Sequence, residues 1–188
     1  KGKIPSVDDI IRAQKLMDKA HVKRTPLLKS NTFSKSSHAN IFLKYESFQK
    51  TGSFKVRGAY SKINSLTDEQ CKAGVIAASA GNHAQGVAYA ALKRNIKCSI
   101  VMPKNASPAK VAATRSYGAN VILSGNTYDE SWKTADLMAR KSGFSIIHAF
   151  DDPVVIAGQG TIGLELMEDL KDIDTVYLPL GGGGLASG

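Results

Sequence analysis

The chain has 188 residues, 43% of them hydrophobic, which suits a soluble globular protein of one or two domains. No apolar run approaches the roughly 18 residues that a membrane-spanning helix needs, and the first nine residues lack the apolar core of a signal peptide. The formal net charge of +9 comes from scattered residues without a zinc-finger spacing or an RNA-binding aromatic motif, so we expect neither a membrane nor a nucleic acid as partner.

Two further features concern the setting and the extent of the chain. Cys71 and Cys98 are too far apart to form a CxxC pair or a metal-type spacing, which favours a reducing, cytoplasmic setting. Because the first residue is Lys and the last residues are rich in glycine, we expect the chain to be a piece of a longer protein.

The first third of the chain predicts two helices and one strand. Ser6 followed by Asp9 resembles a capping box, and the apolar stripe after it predicts a helix over residues 7–20. A loop is predicted next, and then the alternating residues of NIFLKYES (40–47) predict a strand. The segment 54–66 is predicted to be a helix.

From residue 74 onward, short apolar runs alternate regularly with helical patterns. The predicted strands are 74–79, 97–103, 119–125, 144–150 and 174–180, and the predicted helices are 82–94, 107–117, 128–141 and 152–170. This alternation predicts crossover units and therefore an α/β fold, with a parallel sheet covered by helices on both faces.

Three loops fall at the ends of predicted strands, where open α/β sheets bind their ligands. They are residues 51–53, 79–82 and 181–184. In the third loop, GGGGL, glycines let the backbone approach an anion closely, and successive N–H groups can form a phosphate-binding nest. Neither a P-loop nor a GxGxxG pattern is present, so a flexible linker or a tight turn is the alternative.

The second loop, SAGNHAQG (79–86), joins a predicted strand to a predicted helix. Ser79, the backbone amides and the Asn82 side chain could all face one anion, such as a substrate carboxylate. The alternative is a helix start that is only capped. His83 could be a general base or a hydrogen-bonding helix residue, and no other histidine stands at metal-ligand spacing from it, so no metal site is predicted.

The first loop precedes Lys55, in QKTGSFKVRGAY (49–60). The partial positive charge of a helix start and desolvation beside Phe54 both lower the pKa of its amine. A neutral amine is what Schiff-base formation with an aldehyde needs, and pyridoxal 5′-phosphate carries both an aldehyde and a phosphate. One ligand could therefore use all three loops, although a lysine taken alone in such a stretch is usually a solvated helix residue.

The motifs SFKVRGA, SAGNHAQGVA and GGGGLASG stand in the order and at the separations of the fold type II pyridoxal-phosphate enzymes. A fourth motif, DDPVVIAGQGTIGLE (151–165), is similar to the threonine dehydratase and serine racemase branch of that family. The resemblance covers nearly the whole chain, and it is closest to the threonine dehydratase (threonine ammonia-lyase) group, in the part that precedes any regulatory domain.

The resemblance implies two open, twisted parallel-sheet domains. Residues 50–149 would form a small domain inserted into a large cofactor-binding domain, which residues 1–49 and 150–188 would supply in part. The partner of the cofactor ring nitrogen would come from a later segment. The full-length protein would be a homo-oligomer that binds a small amino-acid substrate.

The resemblance also implies a role for each loop. Lys55 would be the catalytic residue that holds the cofactor, with Phe54 beside the ring and Asn82 bonded to the ring hydroxyl oxygen. The cofactor phosphate would lie on the backbone amides of Gly181, Gly182, Gly183, Gly184 and Leu185. The substrate carboxylate would be surrounded by Ser79, Gly81, Asn82 and His83.

The implied reaction is the dehydration and deamination of L-threonine, with L-serine as a second substrate, to 2-oxobutanoate or pyruvate plus ammonia. Lys55 would remove the Cα proton while the cofactor ring takes up the electrons. Serine racemases of this family resemble SSGNH, whose second serine supplies a proton, and alanine at position 80 cannot do so. Phe150 also fits the dehydratase pattern, whereas Ala149 replaces the proline expected there.

Two alternatives to a dehydratase remain besides racemisation. One is a β-replacement enzyme of the same family, as in cysteine synthesis, although SFKVRG and GQGTIGLE favour the dehydratase branch. The other is a catalytically inactive binding or regulatory homologue. The presence of Lys55 and Asn82 together with the four glycines argues against it.

Overall fold

The fold comes from a computed structural model that describes residues 4–188. Its helices are α1 (Val7–Leu16), α2 (Asn31–Ser37), α3 (Lys55–Asn64), α4 (Asp68–Ala73), α5 (Asn82–Lys93), α6 (Pro108–Ser116), α7 (Tyr128–Ser142), α8 (Pro153–Asp169) and α9 (Gly184–Ser187). Its strands are β1 (Leu27–Lys29), β2 (Phe42–Lys44), β3 (Val75–Ala78), β4 (Cys98–Met102), β5 (Asn120–Leu123) and β6 (Ser145–Ile146).

Strands β3 to β6 form one parallel sheet in the order β5-β4-β3-β6. Val75 of β3 stands opposite Cys98 of β4 on one side and opposite Ser145 of β6 on the other. Strand β3 therefore lies inside the sheet, and all four of its residues are buried. This arrangement confirms the predicted α/β fold with a parallel sheet.

The side chains of β3 alternate between two apolar layers, as the period of a strand requires. Val75 and Ala77 join the cluster that contains buried residues of α3 and α5. Ile76 and Ala78 join a second cluster, in which residues of α7 cover the opposite face of the sheet. Helices therefore shield the sheet on both faces, and the carboxyl end of β3 leads directly into the loop before α5.

Helix α3 packs against both α5 and α8, and a pair of glycines sets its distance from α8. A Cβ atom added at Gly158 would lie 2.7 Å from the Cα of Gly58, and one added at Gly58 would lie 2.7 Å from the carbonyl oxygen of Val155. Two backbones can approach this closely only without side chains. The motif containing Gly158 therefore fixes the position of the helix that begins at Lys55.

Several short elements lie where the sequence predicts loops or a longer helix. Helix α1 ends at Leu16 rather than at residue 20, because Met17 adopts an extended conformation. Strand β1 pairs antiparallel with β2, which confirms only the centre of the predicted strand 40–47. Strand β1 and helices α2 and α4 have three to seven residues, too few to produce a clear apolar period.

The prediction of a strand over residues 174–180 is wrong. Tyr177 and Leu180 are 91% and 75% exposed, and this segment forms no ladder with any other described segment. A strand exists only where a neighbour accepts and donates its backbone hydrogen bonds. The apolar pattern therefore shows that the side chains of this segment suit a strand. It does not show whether a neighbouring strand is present to pair with the segment.

Two further properties of the described residues concern membranes and metal ions. None of the helices within 4–188 is long and apolar enough to cross a membrane. Over the same range, no group of three or more His, Cys, Asp or Glu side chains is placed to hold a metal ion. Both cysteines are free thiols.

Candidate active site

Lys55 is the first residue of α3, and a turn in front of the helix positions it. Gly52 has a φ of 71°, in the left-handed region that favours glycine, and its N–H donates to the carbonyl oxygen of Gln49 at 2.9 Å. Ser53 follows, and its Oγ accepts the N–H of Lys55 at 3.4 Å. The lysine therefore lies directly behind a glycine turn at a helix start, as the sequence predicts.

The amine of Lys55 is held inside the fold by a backbone carbonyl. Its Nζ donates to the carbonyl oxygen of Ala149 at 2.7 Å and lies 5.3 Å from the centroid of the Phe54 ring. Burial disfavours the charged form and so lowers the pKa of Lys55 below its ordinary value. A half-buried amine of this kind is available as a nucleophile or a base.

The start of α5 lies at the carboxyl end of β3 and presents uncapped backbone N–H groups. Its N-cap is Gly81, which has no side chain to accept a hydrogen bond from the first turn. The N–H of Gly81 donates to Ser79 Oγ at 3.2 Å, and Asn82 is exposed at the first helical position. Of the two alternatives considered from sequence, the missing cap favours an open helix start, which suits an anion, over one that is only capped.

The His83 side chain is buried rather than exposed at this opening. It is only 3% exposed, its Nε2 lies 2.9 Å from the carbonyl oxygen of Ile147, and its Nδ1 is buried with no hydrogen-bond partner in the described residues. Burial lowers the pKa of His83 to about 4, so the ring is neutral at neutral pH. Of the two roles considered from sequence, this geometry favours the hydrogen-bonding helix residue, and substrate binding by His83 then depends on its backbone N–H.

The four-glycine loop closes on Phe150. A Cβ atom at Gly182 would overlap the Phe150 ring, and one at Gly184 would lie 2.8 Å from the Phe150 carbonyl oxygen. Gly183 has a φ of 86° and precedes the short helix α9. Steric contact and backbone conformation therefore exclude side chains from this loop. Its backbone N–H groups are then the donors available to bind an anion. Leu185, in the first turn of α9, is partly buried.

Residues 147–150, which we call the bridging segment, contact the starts of α3 and α5 and the glycine loop. The Ile147 carbonyl accepts a hydrogen bond from the His83 ring in the first turn of α5, the Ala149 carbonyl accepts one from Lys55, and Phe150 contacts the glycine loop. The imidazole Nδ1 of His148 accepts the N–H of Phe150 at 3.2 Å. Sequence alone placed this segment in a strand over 144–150, whereas β6 ends at Ile146 and frees the segment for these contacts.

A buried ion cluster beside Lys55 was not predicted from the sequence. Arg57 is 1% exposed and bonds both oxygens of Glu46 and both oxygens of Glu165, and Lys44 lies 2.7 Å from Glu165 Oε2. We call these four residues the Arg57 cluster. Arg57 and Glu165 stand in SFKVRGA and GQGTIGLE, but no local pattern pairs residues 108 positions apart.

The residues present suit the predicted cofactor. Pyridoxal phosphate needs an amine that can be neutral, and burial promotes that state at Lys55. Its phosphate needs backbone donors in a loop free of side chains, and the contacts of Gly182 and Gly184 with Phe150 describe such a loop. Both features meet at the bridging segment, so one ligand can contact both.

Comparisons with known proteins agree with this geometry. Residues 19–188 match the family described as pyridoxal-phosphate dependent enzyme. The chain is 53% identical over 183 residues to the L-threonine ammonia-lyase of Thermotoga maritima, which covers 97% of this chain and 45% of the relative. The chain spans about half the length of the curated relatives that it matches.

Solved structures show the same fold over nearly the whole chain. Maize serine racemase matches with a TM-score of 0.94 at 38% identity, covering 98% of this chain and 56% of that one. Threonine deaminase isoform 2 from Solanum lycopersicum matches with a TM-score of 0.90 at 40% identity, covering 98% and 52%. The predicted fold type and cofactor are thus confirmed, and the chain belongs to the pyridoxal-phosphate-dependent enzyme family.

Proposed function

We propose that the protein containing this chain is a lyase that dehydrates and deaminates L-threonine, and also L-serine, to 2-oxobutanoate or pyruvate plus ammonia. The observation that carries the proposal is the half-buried amine of Lys55, 2.7 Å from the Ala149 carbonyl and linked through it to the glycine loop. The relative from Thermotoga maritima, named L-threonine ammonia-lyase, supports the choice of reaction.

Each loop has a separate task in this proposal. Bound pyridoxal phosphate supplies an aldehyde for Lys55 and a ring that takes up electrons from the substrate Cα. Lys55 removes the Cα proton, for which its lowered pKa is suited. With the cofactor bound, Phe54 would pack beside the ring, and the exposed amide of Asn82 would bond the ring hydroxyl oxygen.

The remaining tasks belong to backbone donors at the two other loops. The phosphate is held by the amides of Gly181, Gly182, Gly183, Gly184 and Leu185. The substrate carboxylate is held by Ser79, Gly81, Asn82 and the backbone of His83. The uncapped start of α5 supports this last assignment, because its free N–H groups and partial positive charge favour an anion.

We further propose that the site lies between two domains. The complete four-stranded sheet lies within residues 75–146, which supports a small domain of residues 50–149. Residues 1–49 and 150–188 then belong to the large domain. Helix α3 packs against α5 of one and α8 of the other, so Lys55 begins a helix at the boundary between them. A cleft between domains is a common place for a ligand.

Dehydration is favoured over racemisation by one position. Racemisation needs a proton donor on the cofactor face opposite the lysine, and Ala80 offers only a methyl group there. The amino-acid substrate class is the same for both reactions, so only the products distinguish them.

The exposed apolar segment 176–180 suggests that more of the protein is needed for activity. Val176, Tyr177 and Leu180 are exposed in a segment with strand-like side chains, and the relatives are about twice as long. We propose that a protein ending at Gly188 turns over little substrate, whereas the full-length protein is an active, cytoplasmic homo-oligomer that binds no nucleic acid. Robust turnover by the 188-residue protein would contradict this.

The function is tested on the full-length protein by measuring 2-oxo acid release from L-threonine and L-serine. We expect near-visible absorbance from the bound cofactor and its fixation onto Lys55 by borohydride. A colourless protein that cannot be reconstituted would favour an inactive homologue. Efficient use of O-acetylserine with sulfide, without 2-oxo acid release from threonine, would favour β-replacement instead.

A further inference from the structure

The bridging segment leaves the sheet at Ile147, where two hydrogen bonds hold its backbone. The N–H of Ile147 donates to the carbonyl oxygen of Ile76 at 2.9 Å, which fixes the residue to β3. Its carbonyl oxygen lies 2.9 Å from His83 Nε2, which fixes the residue to α5. Two residues further along the chain, the Ala149 carbonyl accepts a hydrogen bond from Lys55 Nζ.

The His83 ring has one protonation state that suits this position. A carbonyl oxygen can only accept, so the hydrogen must be on Nε2, and Nδ1 then carries a lone pair. Nδ1 is buried without a hydrogen-bond partner among the described residues, and protonating it would place a charge near Lys55 and His148. The ring is therefore a neutral donor with a single partner.

An unsatisfied buried nitrogen costs free energy, which an apolar residue of similar size would avoid. Position 83 is four residues before Val87, on the buried face of α5, where a leucine would pack without that cost. The Nε2–H bond to Ile147 is the one contact that distinguishes histidine from leucine here. This bond therefore explains the presence of an imidazole inside an Ala-rich helix.

We propose that His83 is a positioning residue for Lys55 and for the glycine loop. Its Nε2–H holds Ile147 against α5, so that the Ala149 carbonyl aims the Lys55 amine and Phe150 supports Gly182 and Gly184. The role of Lys55 as catalytic base rests on the proposed function. The effect of His83 on the position and reactivity of the Lys55 amine does not depend on the proposed function.

The test replaces His83 in the full-length protein by residues that keep or lose the donor. His83→Gln keeps an amide N–H of similar reach, whereas His83→Leu and His83→Met have no donor. Val121→Ala is the matched control for lost packing, because Val121 is buried in β5, at the opposite edge of the sheet from β6. Two donor-free variants keep the test usable if one of them does not fold.

The first readout is the reactivity of the Lys55 amine in cofactor-free protein, measured by competitive acetylation and mass spectrometry across pH. We expect the donor-free variants to shift the labelling profile of Lys55 toward that of an ordinary surface lysine. His83→Gln and Val121→Ala should retain the wild-type profile. Since this readout needs no turnover, it remains valid if the proposed reaction is wrong.

The second readout is steady-state kinetics with L-threonine. We expect the donor-free variants to lower kcat by about 10- to 100-fold, as small misplacements of a reacting group do, and His83→Gln to recover most of the loss. An unchanged Lys55 labelling profile in both donor-free variants would overturn the proposal. So would equal effects from Val121→Ala, or a folded His83→Gln variant that behaves like His83→Leu.

Discussion

Arg57 and Glu165 form a bidentate ion pair inside the fold, with Nη1 to Oε1 at 2.7 Å and Nη2 to Oε2 at 2.9 Å. Glu46 is bonded by the same guanidinium, and Lys44 supplies a second positive charge. Two cations and two carboxylates therefore balance inside the Arg57 cluster. The pair joins α3, which begins at Lys55, to α8.

Removal of Arg57 is expected to destabilise the protein strongly. Arg57→Ala leaves the buried Glu165 and the partly buried Glu46 without their main partner, which costs about 3–5 kcal/mol in comparable cases. Arg57→Lys keeps the charge but cannot form bidentate hydrogen bonds with both carboxylates. Its free energy of unfolding should therefore lie between those of the alanine variant and the wild type. Urea denaturation gives the free energy of unfolding of each.

An exposed ion pair provides the control for Arg57. Arg140 bonds Asp136 at 3.0 Å across one turn of α7 with most of its side chain in solvent. Arg140→Ala should change the free energy of unfolding by less than about 1 kcal/mol. Equal effects of Arg57→Ala and Arg140→Ala would mean that the buried cluster adds no more than a surface pair.

Two glycines of α8 should respond oppositely to alanine. Gly158→Ala forces a methyl group against the Gly58 backbone, and overpacking of this kind costs about 1–3 kcal/mol. Gly163→Ala meets nothing within 4 Å in the same helix and should stabilise it by up to about 1 kcal/mol. Thermal and urea unfolding compare the two, and a stabilising Gly158→Ala would contradict the close approach of α3 and α8.

Lys55 and Lys93 offer a matched pair for the cofactor site. Lys55→Ala should abolish 2-oxo acid release and covalent fixation of the cofactor by borohydride, because the amine that forms the bond is gone. Lys93→Ala, at the exposed end of α5, should retain both. Peptide mapping after borohydride treatment locates the bond, and a label on any other lysine would show that Lys55 was assigned wrongly.

The sequence predicted the parts of the fold that carry a long, regular signal. Strand β3 is a continuous apolar run, β4 is apolar except for Ser99, and α5, α7 and α8 have 12 to 17 residues over which a helical pattern is clear. Helix α4 has only six residues, and its Thr67–Gln70 capping box was a signal that went unused. The segment 174–180 has the side chains of a strand, but its pattern does not contain the neighbour a strand requires.

The candidate site was predicted as three separate loops, and their connection was not. The position of Lys55 behind a glycine turn follows from local sequence, since Gly52 and the helix start are adjacent to it. The contacts of the bridging segment join residues 64 and 94 positions apart, which no period or motif encodes. His83 precedes the buried Val87 by four residues, a spacing that could have placed its ring on the inner face of α5.

The buried imidazole should make stability depend on pH in a definite window. The pKa of His83 is about 4 in the folded protein, against an ordinary value of 6.5, so the unfolded chain binds more protons between these values. Stability should therefore rise with pH across this window and fall as pH drops through it. At about 1.4 kcal/mol per pKa unit, this difference in the pKa of His83 should lower the free energy of unfolding by about 3 kcal/mol as the pH falls from 6.5 to about 4.

His83→Gln isolates that contribution, since glutamine keeps a donor but does not titrate. The free energy of unfolding is measured by urea denaturation at several pH values between 4 and 7 for both proteins. Other groups that titrate in this range, His148 among them, cancel in the difference. Parallel pH profiles for wild type and His83→Gln would show that His83 can be protonated in the folded protein.

Ala80 should decide which products leave the site. It lies between Ser79 and Gly81, beside the uncapped start of α5, and its methyl group cannot carry a proton. The wild-type full-length protein should therefore release pyruvate from L-serine with little D-serine. Ala80→Ser introduces a hydroxyl at the position where the racemase-like motif has one, and D-serine formation should become measurable.

Chiral chromatography of both serine enantiomers, with a coupled pyruvate assay, gives the ratio of the two reactions. Ala112→Ser, at an exposed position of α6, is the control for adding a hydroxyl and should leave the ratio unchanged. D-Serine formation by wild type at a rate rivalling pyruvate release would show that another group donates the proton. The partition between elimination and racemisation would then be set by residues other than Ala80.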